Sequence, residues 1–247
     1  MSDNREVILK KLRDDDNYYG PYGKTFLSNS DIRSLLMNPK GFKKPSKPSL
    51  AMLEGNYLHT LILEPEKKDN FIISDSSSRV TKKYKSDLAD TSNDIILLNK
   101  EATHIEWLAK EIRANVFLNE IIYDKTNKYE EPGLGEIGGL MWKGKADIVT
   151  RDLIIDIKTT ATLDDFKYKA RRYNYDSQAW IYQQLFGHPV VFVAIEKSSG
   201  RLGMFDCSED FLSRGQDKVG QAIEVYNTFF GESPTEDIDQ YFINETL

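Results

Sequence analysis

The 247-residue sequence has one cysteine, Cys207, and three histidines. A single thiol forms no internal disulfide and cannot supply a zinc or iron–sulfur centre held by several cysteines of one chain. A metal bound here therefore rests on oxygen or histidine ligands. Long apolar runs are also missing. Nothing approaches the roughly 18 residues that span a bilayer, and the opening MSDNREVILKK lacks the apolar core of a signal peptide. The expectation is a cytoplasmic protein with no membrane partner. Excess positive charge is absent as well: the net charge is −6, which argues against a surface coated for nonspecific nucleic-acid binding. Much of that acidity is local, because from Ser208 to Leu247 nine acids face two bases. The rest is near neutral and carries basic runs at 40–47, 79–85 and 167–172, each of which, taken singly, reads as a solvated face.

The composition that remains, 40% hydrophobic and 29% charged, is that of a globular chain. The length suits one domain over 1–247, with a loose acidic tail from about residue 231, where Gly231, Pro234 and the loss of apolar periodicity end the pattern. SNSDIRSLLMNP reads as a short helix capped by Ser28 or Ser30 and stopped at Asn38-Pro39. Leu50, Leu53, Tyr57, Leu58, Leu61 and Ile62 recur at helical spacing up to Pro65, and a second helix is expected over 99–118 with Phe117 on its inner side. The period then changes to that of strands at 138–149 and 153–157, followed by a helix over 173–186, strands in VVFVAIE and RLGMFDC, and a helix over 210–230. Helices, hairpin, helix, hairpin, helix give an α/β domain around a mixed sheet.

KGKADIVTRDLIIDIKTT, residues 143–160, places Asp147, Asp156 and Lys158 among isoleucines, where an unpaired charge costs several kcal/mol. Two readings are open: a structural salt bridge, or a site for a metal ion and a phosphate. On a strand Asp156 and Lys158 share a face. If Arg151 and Asp152 make a two-residue loop, Asp147 lies opposite Asp156, close enough for the carboxylates to share a divalent ion. If the turn centres on Arg151 alone, Asp147 faces Ile155 and needs a bulge to come round. An Asp-x-Lys triplet alone is weak, since Asp165-Phe166-Lys167 is another. The first is distinguished by its apolar strand, the preceding Gly-Lys-Ala-Asp and the turn between. Phosphodiester hydrolysis needs an activated water and charge neutralisation, which oxygen-bound Mg²⁺ and a nearby lysine supply. The Ile157 carbonyl, between Asp156 and Lys158, is a further candidate ligand.

With SNSDIRSLLMNP, GNYLHTLILEP, GLMWKGKADIV, IIDIKTT and YDSQAWIY in this order, the chain resembles the PD-(D/E)xK nuclease superfamily. Within it the chain resembles most the phage and prophage exodeoxyribonucleases of the exonuclease VIII (RecE-like) group. Ala146 stands where the superfamily's name has proline. The resemblance implies a restriction-endonuclease-like core with a central mixed sheet flanked by helices. It implies that His59, with Gly55 one turn earlier, Asp147, Asp156 and the Ile157 carbonyl are metal ligands and Lys158 the catalytic lysine. Glu131 takes the assisting acidic position, with adjacent Glu130 an open alternative. Gln178 and Tyr182, a QxxxY pair on one helix face, contact DNA, and Ser28, Ser30 and Arg33 bind a terminal phosphate. His104 and His188 match nothing. The activity implied is Mg²⁺-dependent 5′-to-3′ digestion of double-stranded DNA ends, with Mn²⁺ as a substitute, leaving 3′ overhangs for a single-strand annealing protein, in a homo-oligomeric ring. A RecB-like endonuclease or flap nuclease, and a noncatalytic DNA-binding recombination protein on a nuclease fold, stay open beside it.

Overall fold

A computed structural model of the chain describes residues 2–45 and 47–244. Ser46, inside one basic run, and Glu245, the last acid of the tail, lie outside the described residues. Two helices that hydropathy did not announce come first, α1 (Ser2–Leu12) and α2 (Asp15–Tyr19), the second capped by the Asp14 side chain. Their apolar residues, Leu12 and Tyr18, pack with Leu134 as a small separate cluster. α3 (Asn29–Met37) begins at Ser28, which forms a capping box with Asp31, and it stops at Asn38. α4 (Leu50–Leu63) is capped by Ser49 and ends ahead of Pro65. A two-residue parallel pair, β1 (Ile73–Ser74) and β2 (Leu97–Leu98), brackets α5 (Lys82–Ala89).

The helix expected over 99–118 is two helices, α6 (Asn99–Ala114) and α7 (Val116–Ile122). Asn115 leaves helical geometry between them and its side chain accepts from the Leu118 N–H, capping α7. The restart rotates the pattern: Phe117, expected inside, is 57% exposed, while Leu118 and Ile122 are buried.

The first strand likewise differs from expectation. Gly138 and Gly139, read as strand, are the turn, with φ of +59° and +78°, joining β3 (Lys128–Ile137) to β4 (Leu140–Val149). β3 escaped notice because it carries Pro132, Gly133 and Gly135 in place of β-branched residues. The glycines have a packing reason: a Cβ at Gly133 would lie 2.6 Å from Phe186 Cζ. The chain continues through β5 (Ile154–Thr160), α8 (Phe166–Arg172), α9 (Tyr175–Phe186), β6 (Val190–Glu196), β7 (Leu202–Asp206) and α10 (Glu209–Phe229). The sheet runs β3-β4-β5-β6-β7, parallel between β5 and β6 and antiparallel elsewhere, as a mixed sheet requires.

Helices cover both faces. Ile155, Ile157, Val193 and Ile195 pack against α4, α6 and α7, whereas Ile154, Phe192 and Ala194 pack against α3, α8, α9 and α10. Alternation along β5 and β6 thus fills two cores from one sheet. The tail, expected to be loose, folds back: Thr235 and Glu236 N–H groups bond to the Thr228 carbonyl, Lys40 Nζ donates to the Asp239 carbonyl at 2.8 Å, and the rings of Phe229 and Tyr241 meet edge to face. Three apolar groups, Phe229, Ile238 and Tyr241, give this acidic segment an anchor that its charge pattern concealed.

The contact of α10 with α9 is backbone-close. A Cβ at Gly215 would lie 2.2 Å from the Asp176 carbonyl oxygen, whereas one at Gly220, on the same helix, meets nothing within 4 Å. Gly215→Ala is expected to force the helices apart and cost about 2–3 kcal/mol, lowering Tm by roughly 4–12 °C in a chain of this size. Gly220→Ala should leave Tm unchanged or raise it slightly. Thermal unfolding of both variants checks the pair.

Candidate active site

The turn after β4 is the two-residue loop. Thr150 N–H bonds to the Leu153 carbonyl at 2.9 Å, and Val149 pairs with Ile154 and Ile148 with Ile155. Continued one step, this register sets Asp147 across from Asp156. The ladder stops there, however, and the strands part. Asp147 fills the gap: its Oδ2 accepts the Ile157 N–H at 2.7 Å. Side-chain alternation changes over at the same point, since Trp142 and Ala146 belong to the α9 side and Ile148 to the α4 side.

His59 reaches the parting from α4. Its Nε2 donates to the Ile157 carbonyl at 2.8 Å and its Nδ1 stands 3.5 Å from Asp147 Oδ1. The Ile157 carbonyl, read as a metal ligand, is therefore engaged by the very histidine expected to share that role. A Cβ at Gly55 would meet nothing within 4 Å, so open space lies beside His59 one turn back. From β3, Glu130 sits opposite Asp147 with φ of +46°, a left-handed conformation rare outside glycine and often found at functional sites. Glu130 is the acid that enters the cleft. Glu131, the preferred choice from sequence, turns the other way and pairs with Arg13 at 2.7 Å. The left-handed turn of the backbone at Glu130 sends its side chain into the cleft, while Arg13 holds Glu131 outside.

Asp156 is fully buried beside Lys158. Its Oδ1 accepts from Gln178 Nε2 at 2.7 Å, while Oδ2 touches the Lys158 ammonium as an ion pair and accepts no directed hydrogen bond. Gln178 Nε2 also donates to Tyr182 Oη at 3.1 Å, and Tyr182 donates to the Lys145 carbonyl at 2.6 Å. The QxxxY pair, expected to contact DNA, thus spends its donors inward, tying Asp156 to β4; Tyr182 is only 7% exposed. Its ring packs where a Cβ at Gly144 would lie 2.8 Å away.

These residues line one cleft of about 410 Å³, together with Asp15, Tyr19, Glu64, Lys67 and Lys145. Over residues 31–234 the chain matches the family described as a PDDEXK-like domain of unknown function (DUF3799). The chain belongs to this family. No curated protein matches it. Among solved structures it is similar to a candidate exonuclease from Eubacterium rectale, at 18% identity and a TM-score of 0.64 over 87% of this chain and 86% of that one. A phage-related exonuclease from Haemophilus somnus aligns at 20% identity over 69% of this chain and 91% of that one, with a TM-score of 0.34. The first likeness shows a shared fold.

In this PDDEXK-like chain, Ser28, Ser30 and Arg33 stay out of the cleft lining. Ser28 caps α3, its Oγ bonded to Ser30 Oγ and to Asp31 Oδ2, and Asp31 pairs with Lys43 at 2.9 Å. A carboxylate already occupies the helix N-terminus that a phosphate would need. His104, exposed beside Trp107, and His188 are likewise outside. Sequence reasoning missed Lys145, which is buried against Asp15 at 2.5 Å. The alternation of Lys143 and Lys145 around Gly144 in an apolar strand was the available signal.

His59, Glu130 and Asp147 each offer one ligand atom, all within 4.8 Å of one another, and Asp156, its Oδ2 against Lys158, lines the same cleft. Carboxylate oxygens with one imidazole suit a hard divalent ion. Burial, and then the charge of Asp147, pushes Glu130 up to about 7. Burial also pushes Asp156 up to about 6, against the pull of Lys158. Both groups hold protons more readily folded than unfolded, so the stability their neutral forms contribute is complete below about pH 4 and lost as pH rises through 6 to 7. The metal-free Tm is expected to fall between pH 5.5 and pH 8, and Glu130→Gln to recover about 1–2 kcal/mol at pH 8. A divalent ion needs the ionised forms, so it should raise Tm more at pH 8 than at pH 5.5. Calorimetric melts at both pH values, with and without Mn²⁺, check the sign.

Proposed function

We propose that this protein is a Mg²⁺-dependent exodeoxyribonuclease that degrades one strand of double-stranded DNA from its end, 5′ to 3′, and leaves a 3′ overhang. The observation that carries the reading is the convergence, in a PDDEXK-like chain, of Asp147, Asp156, Lys158, Glu130 and His59 on one cleft. The fold shared with the candidate exonuclease from Eubacterium rectale supports it. A salt bridge accounts for Asp156 with Lys158 but leaves Asp147 facing only His59, and Glu130 with no ion pair among the described residues.

His59, Glu130, Asp147 and Asp156 would hold the ion, which when bound supplies an acidified water and positive charge at the phosphate. The chain's own groups do the rest. The Ile157 N–H fixes Asp147, and Gln178 fixes Asp156 through Oδ1, leaving Oδ2 turned toward Lys158. Burial opposes the charge on Lys158, yet the adjacent Asp156 and Asp147 hold its pKa above the usual lysine range. It therefore acts as a cation that steadies negative charge on the phosphoryl oxygens, not as a neutral base. Lys67, Lys145 and Tyr19 line the same cleft and would meet the strand's backbone once released from Glu64 and Asp15, with which the two lysines now pair.

A net charge of −6 makes loose electrostatic tethering a poor way to keep hold of DNA. A closed homo-oligomeric ring would do so by topology, handing the 3′ overhang to a single-strand annealing protein in the cytosol. Among the described residues, no helix is long and apolar enough to cross a membrane.

Asp156→Asn and Lys158→Met should each lower Mg²⁺-dependent nucleotide release by at least about 10²-fold, with Mn²⁺ supporting the wild-type reaction. Linear duplexes labelled at either end, carrying 5′-phosphate, 5′-hydroxyl or blocked termini, are to be incubated beside covalently closed circles in Mg²⁺ and in EDTA. Release from 5′ ends alone, only in Mg²⁺, is expected. Cutting of closed circles would instead assign an endonuclease, and wild-type rates in either variant would remove these residues from the chemistry.

A further inference from the structure

A second groove, of about 550 Å³, opens on the far side of Lys158. It runs along the end of β5 past Thr159 and Thr160 and is walled by Met52 of α4, Phe166 of α8 and the two tyrosines where α8 meets α9, Tyr173 and Tyr175. At roughly 3.3 Å per residue, Thr160 lies about 7 Å beyond Lys158. That is on the order of two steps of a stacked strand at 3.4 Å.

Four observations bear on what fits there. Tyr175 joins the two spaces, because its ring lines the groove and its centroid is 4.9 Å from Lys158 Nζ. Large apolar surface is left open: Tyr173 is 50% exposed and Met52 is 55% exposed. The backbone between the tyrosines is held in an unusual shape. Asn174 has φ of +59°, its side chain accepts from Lys218 Nζ at 3.0 Å, and its carbonyl accepts from Asn29 and Ser177. That left-handed residue sets the rings of Tyr173 and Tyr175 side by side, 6.1 Å between centroids. The charge in the groove is already used: Lys197 pairs with Glu54 at 2.5 Å and Lys169 stands 3.9 Å from Asp165. Most of what an occupant meets is aromatic face, threonine and methionine, with two lysines drawn toward acids outside the lining, a surface that favours a base over a phosphate.

We infer that this groove is a stacking subsite for unpaired nucleobases of the strand whose phosphate lies at Asp147, Asp156 and Lys158. It rests on the nuclease reading above and adds to it: the enzyme grips the one or two nucleotides nearest the scissile bond by their bases, with Tyr173 as the outer platform. Aromatic stacking tolerates any sequence, as an enzyme that digests DNA generally requires.

The test measures binding of the full-length protein to end-labelled duplexes in EDTA. The two terminal nucleotides of the 5′ strand, or in separate duplexes of the 3′ strand, are either natural or abasic. Wild type should bind natural ends about tenfold tighter than ends abasic on one strand, the scale of one base–aromatic stack. Tyr173→Ala should lose that factor on natural ends and nothing further on abasic ends, and Tyr173→Phe should keep it. Equal losses on natural and abasic ends, or none, would overturn the subsite. So would a Tyr173→Ala change in sedimentation with base discrimination intact, which would give the groove to a second copy of the chain. Hydrolysis of the same natural duplexes by wild type in Mg²⁺ reads the nuclease assignment separately.

Discussion

Asp147 does the work of a missing rung in the sheet. Where β4 and β5 part, the Ile157 N–H would face a gap, and an unpaired buried donor costs on the order of 1–3 kcal/mol. The Asp147 Oδ2 accepts it at 2.7 Å, so the sheet can open without losing that hydrogen bond. The opening admits groups from both layers. His59 arrives from the α4 face, Gln178 from the α9 face, and Glu130 across from β3. Without the parting, Asp147 and Asp156 would be one more cross-strand pair, and like charges directly opposite destabilise a sheet.

That repulsion distinguishes the site from an ordinary buried salt bridge. A structural ion pair balances its charges, because desolvating an unmatched one is expensive. Here three carboxylates, Glu130, Asp147 and Asp156, gather about one lysine that touches only Asp156. Burial, with the charge of Asp147 adding to it, pushes two of the acids, Glu130 and Asp156, toward neutrality. The chain also spends conformational energy here, holding Glu130 at φ of +46°, at a cost of order 1 kcal/mol or more. A fold selected for stability alone would have reason to replace each of these features.

How much was legible beforehand follows from which signals are local. β5, β6 and β7, α3 and α4 were readable because their apolar periods and caps lie within a few residues, whereas the turn after β4 was left between two registers that only the Thr150–Leu153 hydrogen bond decides. Asp147, Asp156, Lys158 and His59 were readable because each sits inside such a segment. β3 was not: its glycines answer to Phe186 and Leu185, more than 45 residues away, and such demands leave no local trace. The same holds for Glu130 against Glu131, decided by one backbone torsion and by Arg13. It holds too for Asn115, where one side chain accepting the Leu118 N–H outweighed an unbroken apolar pattern and turned Phe117 to solvent. Gln178 and Tyr182 share the face their spacing implies and line the cleft, but their bonds to Asp156 and the Lys145 carbonyl were not legible, because spacing fixes a helix face and not what that face meets.

Net charge is a poor guide to what the cleft attracts. None of the described acids of the tail lines it; that segment is tied by Lys40 and Phe229 near the end of α3. The cleft's own balance is five carboxylates, Asp15, Glu64, Glu130, Asp147 and Asp156, against Lys67, Lys145 and Lys158. In that state it repels a phosphodiester and attracts a divalent cation, whose charge would bring the lining to neutrality. On the nuclease reading, a cation held by these acids would make the cleft acceptable to a phosphate and leave the lysines to steady its charge. The neighbouring groove has no carboxylate in its lining and so carries no such condition: on the reading above, a strand would be held there by its bases before the cleft receives its backbone.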